Sequence, residues 1–219
     1  MKILAADTAL GACSVAVLDG VRVLAHRFEA MERGHAEALA PMAEDAMCAS
    51  GIGFGDIDRL AVTTGPGTFT GQRVGLAFMR GLRVALKKPL VGITTLEAMC
   101  AAAMDEAGTD YAAAIHDARR GEAYLAAASK ADVLIAPEVL LLKDAAARIA
   151  KAIPQSASFA LAGTAAERIA EDLKEGRATS IRQPDALWVA RLALVASEPS
   201  EAPHPLYLRA PDAKLPASA

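Results

Sequence analysis

The chain has 219 residues, room for one large or two small domains, and is 53% apolar but only 4% aromatic. That composition belongs to tightly packed, small-residue helices and excludes a largely disordered chain. A formal net charge of -3 excludes a protein that grips a nucleic-acid backbone unaided, because such binding needs clustered Lys and Arg.

The chain opens with an apolar strand over 2–7 that ends in Asp7. Strand-like runs come next at 13–18 and 21–28 around Asp19-Gly20, a strong hairpin signal. Residues 34–50 form a helix with Leu39, Met42, Ala43, Ala46 and Met47 on one face and Pro41 as an expected kink. A strand at 59–64, a glycine-rich turn, a helix at 70–87 and a strand at 90–93 continue the pattern. A further helix opens on the capping box Thr94…Glu97. A second pass has strands at 111–116 and 122–129, a helix near 143–152, a strand at 158–162 and a helix opening on Thr164…Glu167. A last helix at 185–197 precedes a Pro-, Ser- and Ala-rich tail expected to fray after residue 211. The order β-β-β-α-β-α-β-α, then a shortened β-β…α-β-α, describes an α/β unit and its reduced repeat.

A strand ending in an acid and turning tightly into a hairpin is how actin-like ATPases and sugar kinases cradle phosphate, with turn amides and a metal-associated carboxylate. Asp7 and Thr8 stand at that place, but only Gly11 remains of the glycines such a turn wants. A second phosphate turn falls at Asp117, Ala118, Arg119, Arg120 and Gly121, and an adenosine pocket at Ala162, Gly163 and Thr164. All are glycine-poor, so a degenerate cleft that has lost its ligand is the expectation. An ATP-using kinase or transferase acting through Asp7 is the alternative. The turn Thr64-Gly65-Pro66-Gly67-Thr68-Phe69-Thr70-Gly71 lacks the Gly-Lys-Ser/Thr ending of a phosphate-binding loop.

The helix after that turn has two apolar stripes, Val74, Phe78, Leu82 and Ala85 on one side and Gly71, Gly75, Met79 and Leu86 on another. One sheet cannot bury both, so the surplus marks either an interface or packing against the helix at 34–50. His35 has Leu39 rather than a second histidine four residues on, which removes a helical metal pair. Cys13, Cys48 and Cys100 are odd in number with no C-x-x-C spacing and are expected to be buried thiols. No leader precedes the first strand and no run reaches about 18 uncharged apolar residues, so a cytoplasmic, non-membrane protein is expected.

Several segments together resemble the TsaB (YeaZ) family. They are Ile3-Leu4-Ala5-Ala6-Asp7-Thr8-Ala9, Cys13-Ser14-Val15-Ala16, His35-Ala36-Glu37 and the turn from Gly65 to Gly71. Gly92-Ile93-Thr94-Thr95-Leu96-Glu97-Ala98, the run from Asp117 to Tyr124, and the tail Pro205-Leu206-Tyr207-Leu208-Arg209 complete the match. It is dense over 1–125 and at the tail. The resemblance implies a two-lobed actin-like (ASKHA) fold, each lobe a mixed sheet with flanking helices and the second reduced. Its expected divisions are 1–105, 106–184 and a 185–219 segment packing back on the first lobe. It further implies a non-catalytic scaffold, without cofactor or metal. Such a scaffold serves a TsaD-like subunit that transfers threonylcarbamoyl to N6 of adenosine 37 in tRNA, and it helps recruit a TsaE-like ATPase. It touches tRNA only through the complex and forms a homodimer when alone. Carried onto this chain, the partner surface is placed on the helices at 34–50 and 70–87, with His35, Leu39, Met42, Ala46, Gly71, Gly75, Met79 and Leu86.

Overall fold

The computed structural model describes residues 1–209, and the expected fraying after residue 211 lies outside them. The first lobe begins with the meander β1 (Lys2–Asp7), β2 (Ala12–Asp19) and β3 (Arg22–Ala30). It continues through α1 (His35–Ser50), β4 (Arg59–Thr63), α2 (Phe69–Leu86), β5 (Leu90–Ile93) and α3 (Thr95–Ala107). The second lobe repeats the pattern with β6 (Tyr111–Asp117), β7 (Glu122–Ser129), β8 (Val133–Leu141), α4 (Ala145–Ala152), β9 (Phe159–Ala162), α5 (Ala166–Ala170), β10 (Gly176–Ala178) and α6 (Ala186–Val195). The strand orders are β3-β2-β1-β4-β5 and β10-β9-β6-β7-β8, the same topology written in opposite directions. The meanders pair antiparallel, and β1–β4, β4–β5, β6–β9 and β9–β10 pair parallel through helical crossovers.

The second lobe therefore keeps five strands, and its reduction lies in its helices: α4 and α5 have 8 and 5 residues where α1 and α2 have 16 and 18. Two of its strands have no clear signature. β8 carries Pro137 on the sheet edge, where a missing amide is tolerated, and β10 is only Gly-Arg-Ala.

Helix ends obey local chemistry. Thr94 and Glu97 close the capping box of α3, and Thr68 Oγ1 accepts from the Gly71 amide at 3.0 Å to start α2. α1 runs unbroken through Pro41. The expected cap at Thr164 is a correction: α5 begins at Ala166 without a side-chain cap, and the Thr164 hydroxyl accepts from the Asp117 amide instead.

Each sheet is covered on both faces. α1 and α2 pack on one side of the first sheet, α4 and α5 on one side of the second. The opposite faces are exchanged. α3 lays Leu96, Met99, Cys100, Ala103 and Met104 on the second sheet, where Ala112, Ala114, Ala126, Ala160 and Ala162 let it approach closely, while α6 returns to cover Ile3, Ala5, Ala16 and Leu18 of the first. The alanine content is thus the means by which helices interlock two lobes. Cys13 and Cys100 are buried, with thiols pushed up to about 12 by burial, but Cys48 lies exposed on α1, contrary to expectation.

Candidate functional site

β1 delivers Asp7 to a fully buried position at its carboxyl end. Oδ1 accepts from Thr63 Oγ1 at 2.6 Å and from the Ala9 amide at 3.2 Å, while Oδ2 has no partner among the described residues. Burial lifts the carboxyl to about 7, against the opposing pull of those two hydrogen bonds. The turn beyond it is sealed from above by α2. The Thr8 hydroxyl donates to the Gly71 carbonyl at 2.7 Å and the Thr68 amide to the Ala9 carbonyl at 2.8 Å. A Cβ at Gly67 would stand 2.2 Å from Ala9 O, and one at Gly71 2.2 Å from Thr8 O. These glycines hold a helix against the turn rather than a phosphate against backbone. The amide of Gly11, the one glycine left in the cradle, donates to Gln183 Oε1 at 2.9 Å.

The second turn has the same opening. Asp117, at the end of β6, accepts from the Arg119 amide at 2.7 Å, as Asp7 does from Ala9, yet Asp117 is exposed. Arg119, Arg120 and Gly121 continue the chain with φ of 65°, 57° and 76°. Gly163 (φ 103°) is pressed onto β6, where a Cβ would lie 2.0 Å from Ile115 O, and its amide donates to Ile181 O at 2.7 Å. Burial pushes His116 down to about 4. Asp117, Arg119 and Gly163 thus gather around one turn, whereas Asp7 and Thr8 are shut beneath α2. In the first turn the Ala9 and Gly11 amides, and in the second those of Asp117, Ala118 and Arg119, are already bonded within the chain, which removes donors that a nucleotide phosphate would use. Among the described residues no group of three or more His, Cys, Asp or Glu is placed to hold a metal ion.

The eight residues expected at the partner surface divide by burial. His35, Leu39, Ala46, Gly71, Gly75 and Met79 are buried in the first lobe's own core, His35 with Nε2 hydrogen-bonded to Leu10 O at 3.0 Å. Met42 and Leu86 alone of the eight are half-exposed. Periodicity locates two apolar stripes on α2 but does not say which faces the sheet. The glycine-bearing stripe does, because only glycine lets α2 descend onto Thr8. The stripe left half-open is Val74, Phe78, Leu82 and Leu86, continued on α1 by Ala38 and Met42.

The resemblance marks the tail at 205–209, but its contacts have no short-range signal, because they lie in a segment without secondary structure. Pro203 covers Gly92, the Leu206 amide donates to Thr64 O at 2.7 Å, and Tyr207 stacks on Phe69 at 5.8 Å. Arg209 reaches the second lobe, bonding Ala118 O at 2.8 Å and pairing with Glu122. The tail therefore ties α2 to the second turn.

A family model described as TsaD: tRNA N6-adenosine threonylcarbamoyltransferase matches residues 23–188. The tRNA threonylcarbamoyladenosine biosynthesis protein TsaB of Escherichia coli (strain K12) is 42% identical over 126 residues, 58% of this chain and 54% of that one. The chain thus spans about half the length of the curated relatives it matches. YeaZ from Pseudomonas aeruginosa superposes at 30% identity with a TM-score of 0.81, covering 94% of this chain and 99% of that chain. This chain belongs to the TsaB (YeaZ) family. Its two-lobed actin-like architecture extends to far more distant proteins. Component A of the (R)-2-hydroxyglutaryl-CoA dehydratase of Acidaminococcus fermentans, at 10% identity, superposes with a TM-score of 0.55 over 89% of this chain and 98% of that one. This last likeness concerns the fold alone.

Proposed function

We propose that the chain is a non-catalytic scaffold in the synthesis of threonylcarbamoyladenosine on tRNA. In this reading it binds and activates a TsaD-like transferase and helps recruit a TsaE-like ATPase in the cytoplasm. The observation that carries the reading is the half-open apolar face shared by α1 and α2, formed by Ala38, Met42, Val74, Phe78, Leu82 and Leu86. Apolar side chains left at the surface in one contiguous group favour a protein partner. With the transferase absent, the same face pairs two copies of the chain.

The self-satisfied turns support a scaffold rather than a phosphoryl-transfer enzyme. A kinase would need donors free to track charge onto a transferred phosphoryl group, and here Gly11, Ala9, Arg119 and Asp117 spend their amides on Gln183, Asp7, Asp117 and Thr164. Asp7, the acid of the first turn, is fully buried beside the turn that α2 covers. No helix among the described residues is long and apolar enough to cross a membrane.

The test is co-purification with the transferase of the same cell. Phe78→Glu places a charge at the centre of the proposed contact and is expected to weaken association by at least about 2 kcal/mol, roughly 30-fold. Because Phe78 is only half-buried, the fold is expected to survive, with the circular-dichroism melt as the check. Unchanged association would remove α2 from the interface.

A further inference from the structure

Between Asp58 and Glu97 the chain holds no acidic residue but six cations, Arg59, Arg73, Arg80, Arg83, Lys87 and Lys88. In a protein of net charge -3 this is a marked local excess, and five of the six lie on α2 or just past its end. At about 100° per residue, Arg73, Arg80, Arg83 and Lys87 share one flank of the helix and extend about 21 Å along it. That flank is distinct from the Val74–Phe78–Leu82 stripe, so a partner on one leaves the other open. Among the described residues no ion pair within 4.0 Å engages Arg83, Lys87 or Lys88.

The tail runs along the same flank in the opposite direction. Glu198 and Glu201 line one groove with Arg83, Lys87 and Lys88. Further on, Arg80 donates to Pro203 O at 2.5 Å and lies 3.2 Å from His204 Nδ1, and Arg73 Nε donates to Tyr207 Oη at 2.8 Å. At the amino end of α2 the cationic row meets two stacked, exposed rings. Phe69 is 53% and Tyr207 45% exposed, and the Arg73 guanidinium lies 3.6 Å from the Phe69 ring centre.

We propose that this flank of α2 is a docking surface for an RNA phosphate backbone, and that Glu198 and Glu201 of the tail lie over it as an internal competitor. The inference rests on the reading of the chain as part of a tRNA-modifying complex. A row of cations spaced along a helix neutralises successive phosphates, and an open aromatic pair beside it offers a stacking platform for an unpaired base. Cations in a row beside exposed rings match the repeating phosphates and unpaired bases of RNA together, which is why RNA is favoured over an acidic protein. The acids of the tail and the overall negative charge keep the free chain a weak binder, so the surface acts when a partner has already brought RNA close.

The experiment measures binding of an in vitro transcribed tRNA that reads codons beginning with A to the full-length chain in complex with the transferase, across a range of salt. The variant Arg83→Glu/Lys87→Glu/Lys88→Glu is compared with Lys143→Glu/Lys151→Glu/Lys174→Glu, an equal charge change in the second lobe. The first triple is expected to lower affinity at least tenfold and to reduce the slope of log affinity against log salt by about 2–3, at about 0.7–0.9 per lost phosphate contact. The second triple is expected to do neither. Glu198→Gln/Glu201→Gln is expected to raise affinity a few-fold, and Tyr207→Ala to lower it without changing the slope. Equal losses from the two triples, or none from the first, would overturn the proposal. Loss of transferase from the first triple would also overturn it, since the flank would then be a protein contact. If even the wild-type chain fails to hold the transferase, it is the scaffold reading that fails, and the same salt titration on the chain alone decides the RNA surface.

Discussion

Asp7 and Asp117 occupy the same place in the two lobes: each ends the central strand of its sheet and accepts a hydrogen bond from the amide two residues on. One is fully buried and the other exposed. The difference comes from the helix that packs near each turn. In the first lobe Gly67, Gly71 and Gly75 bring α2 down onto the turn. In the second lobe α5 is a five-residue helix set to one side, and the turn is held instead by Thr164 and by Arg209 from the tail. The same local motif therefore becomes part of a core in one lobe and a surface loop in the other, and in both the chain itself uses several of the turn amides. Shared topology transmits geometry, while side-chain chemistry decides use.

The largest effects that would break this comparison lie in the glycines. Gly163→Ala adds a Cβ 2.0 Å from Ile115 O at a φ of 103°, and is expected to cost about 3–5 kcal/mol. Gly71→Ala meets Thr8 O at 2.2 Å without an unfavourable φ, and about 2–3 kcal/mol is expected. Gly108→Ala, with φ 66° and nothing within 4 Å, is the control at about 1 kcal/mol. Chemical denaturation of the three measures the ranking.

The pH dependence sharpens the contrast, because the buried groups at the two strand ends act with opposite sign. Asp7 titrates at about 7 in the folded chain against an ordinary value of 3.8. The folded form therefore holds its proton longer, and stability from this group is complete at low pH and lost as pH rises from about 4 to about 7. Asp7→Asn is expected to remove that decline and to gain up to roughly 4 kcal/mol at pH 8. His116 titrates at about 4 against an ordinary value of 6.5. The unfolded form takes the proton first, so stability is complete above about 6.5 and falls as pH drops towards 4. His116→Gln is expected to recover roughly 3 kcal/mol of that loss at pH 4. Melting curves from pH 4 to pH 8 separate the two groups by the direction of their slopes.

The smallest effect belongs to the tail. Arg209→Ala breaks a half-exposed pair with Glu122 and a bond to Ala118 O, and is expected to cost about 1 kcal/mol or less. Its signature is local: faster amide exchange around residues 118–122 with little change at Ala9 and Gly11.

Much of the fold is legible because it is written in short-range signals. Asp19-Gly20 announces the β2–β3 hairpin, Thr94 and Glu97 the start of α3, and the acid-turn-hairpin pattern the place of both phosphate turns. β8 and β10 are not, since an edge strand with a proline and a three-residue strand owe their structure to neighbours. Thr164 misleads because a capping-box spacing does not reveal that the hydroxyl has a better use at the Asp117 amide. At the partner face the two stripes of α2 are visible, but their assignment depends on which one the sheet can accept, a property of Thr8 and Val62 as much as of Gly75. The contacts by which Gln183 and Arg209 close the turns from 172 and 91 residues away along the chain leave no local trace, although Arg209 itself stands in the family-like tail.

The central claim, that the chain acts through the outer stripe of α1 and α2 on a transferase, is tested most directly by reconstitution. Transferase, ATPase and unmodified tRNA from the same cell, with threonylcarbamoyl adenylate as the group donor and ATP, are combined with the wild-type chain, with Phe78→Glu, or with no chain, and threonylcarbamoyladenosine is quantified by mass spectrometry. The account predicts product with the wild-type chain, at least about tenfold less with Phe78→Glu despite an unchanged melt, and none without the chain. Full product in the absence of the chain, or wild-type yield with Phe78→Glu, would contradict it.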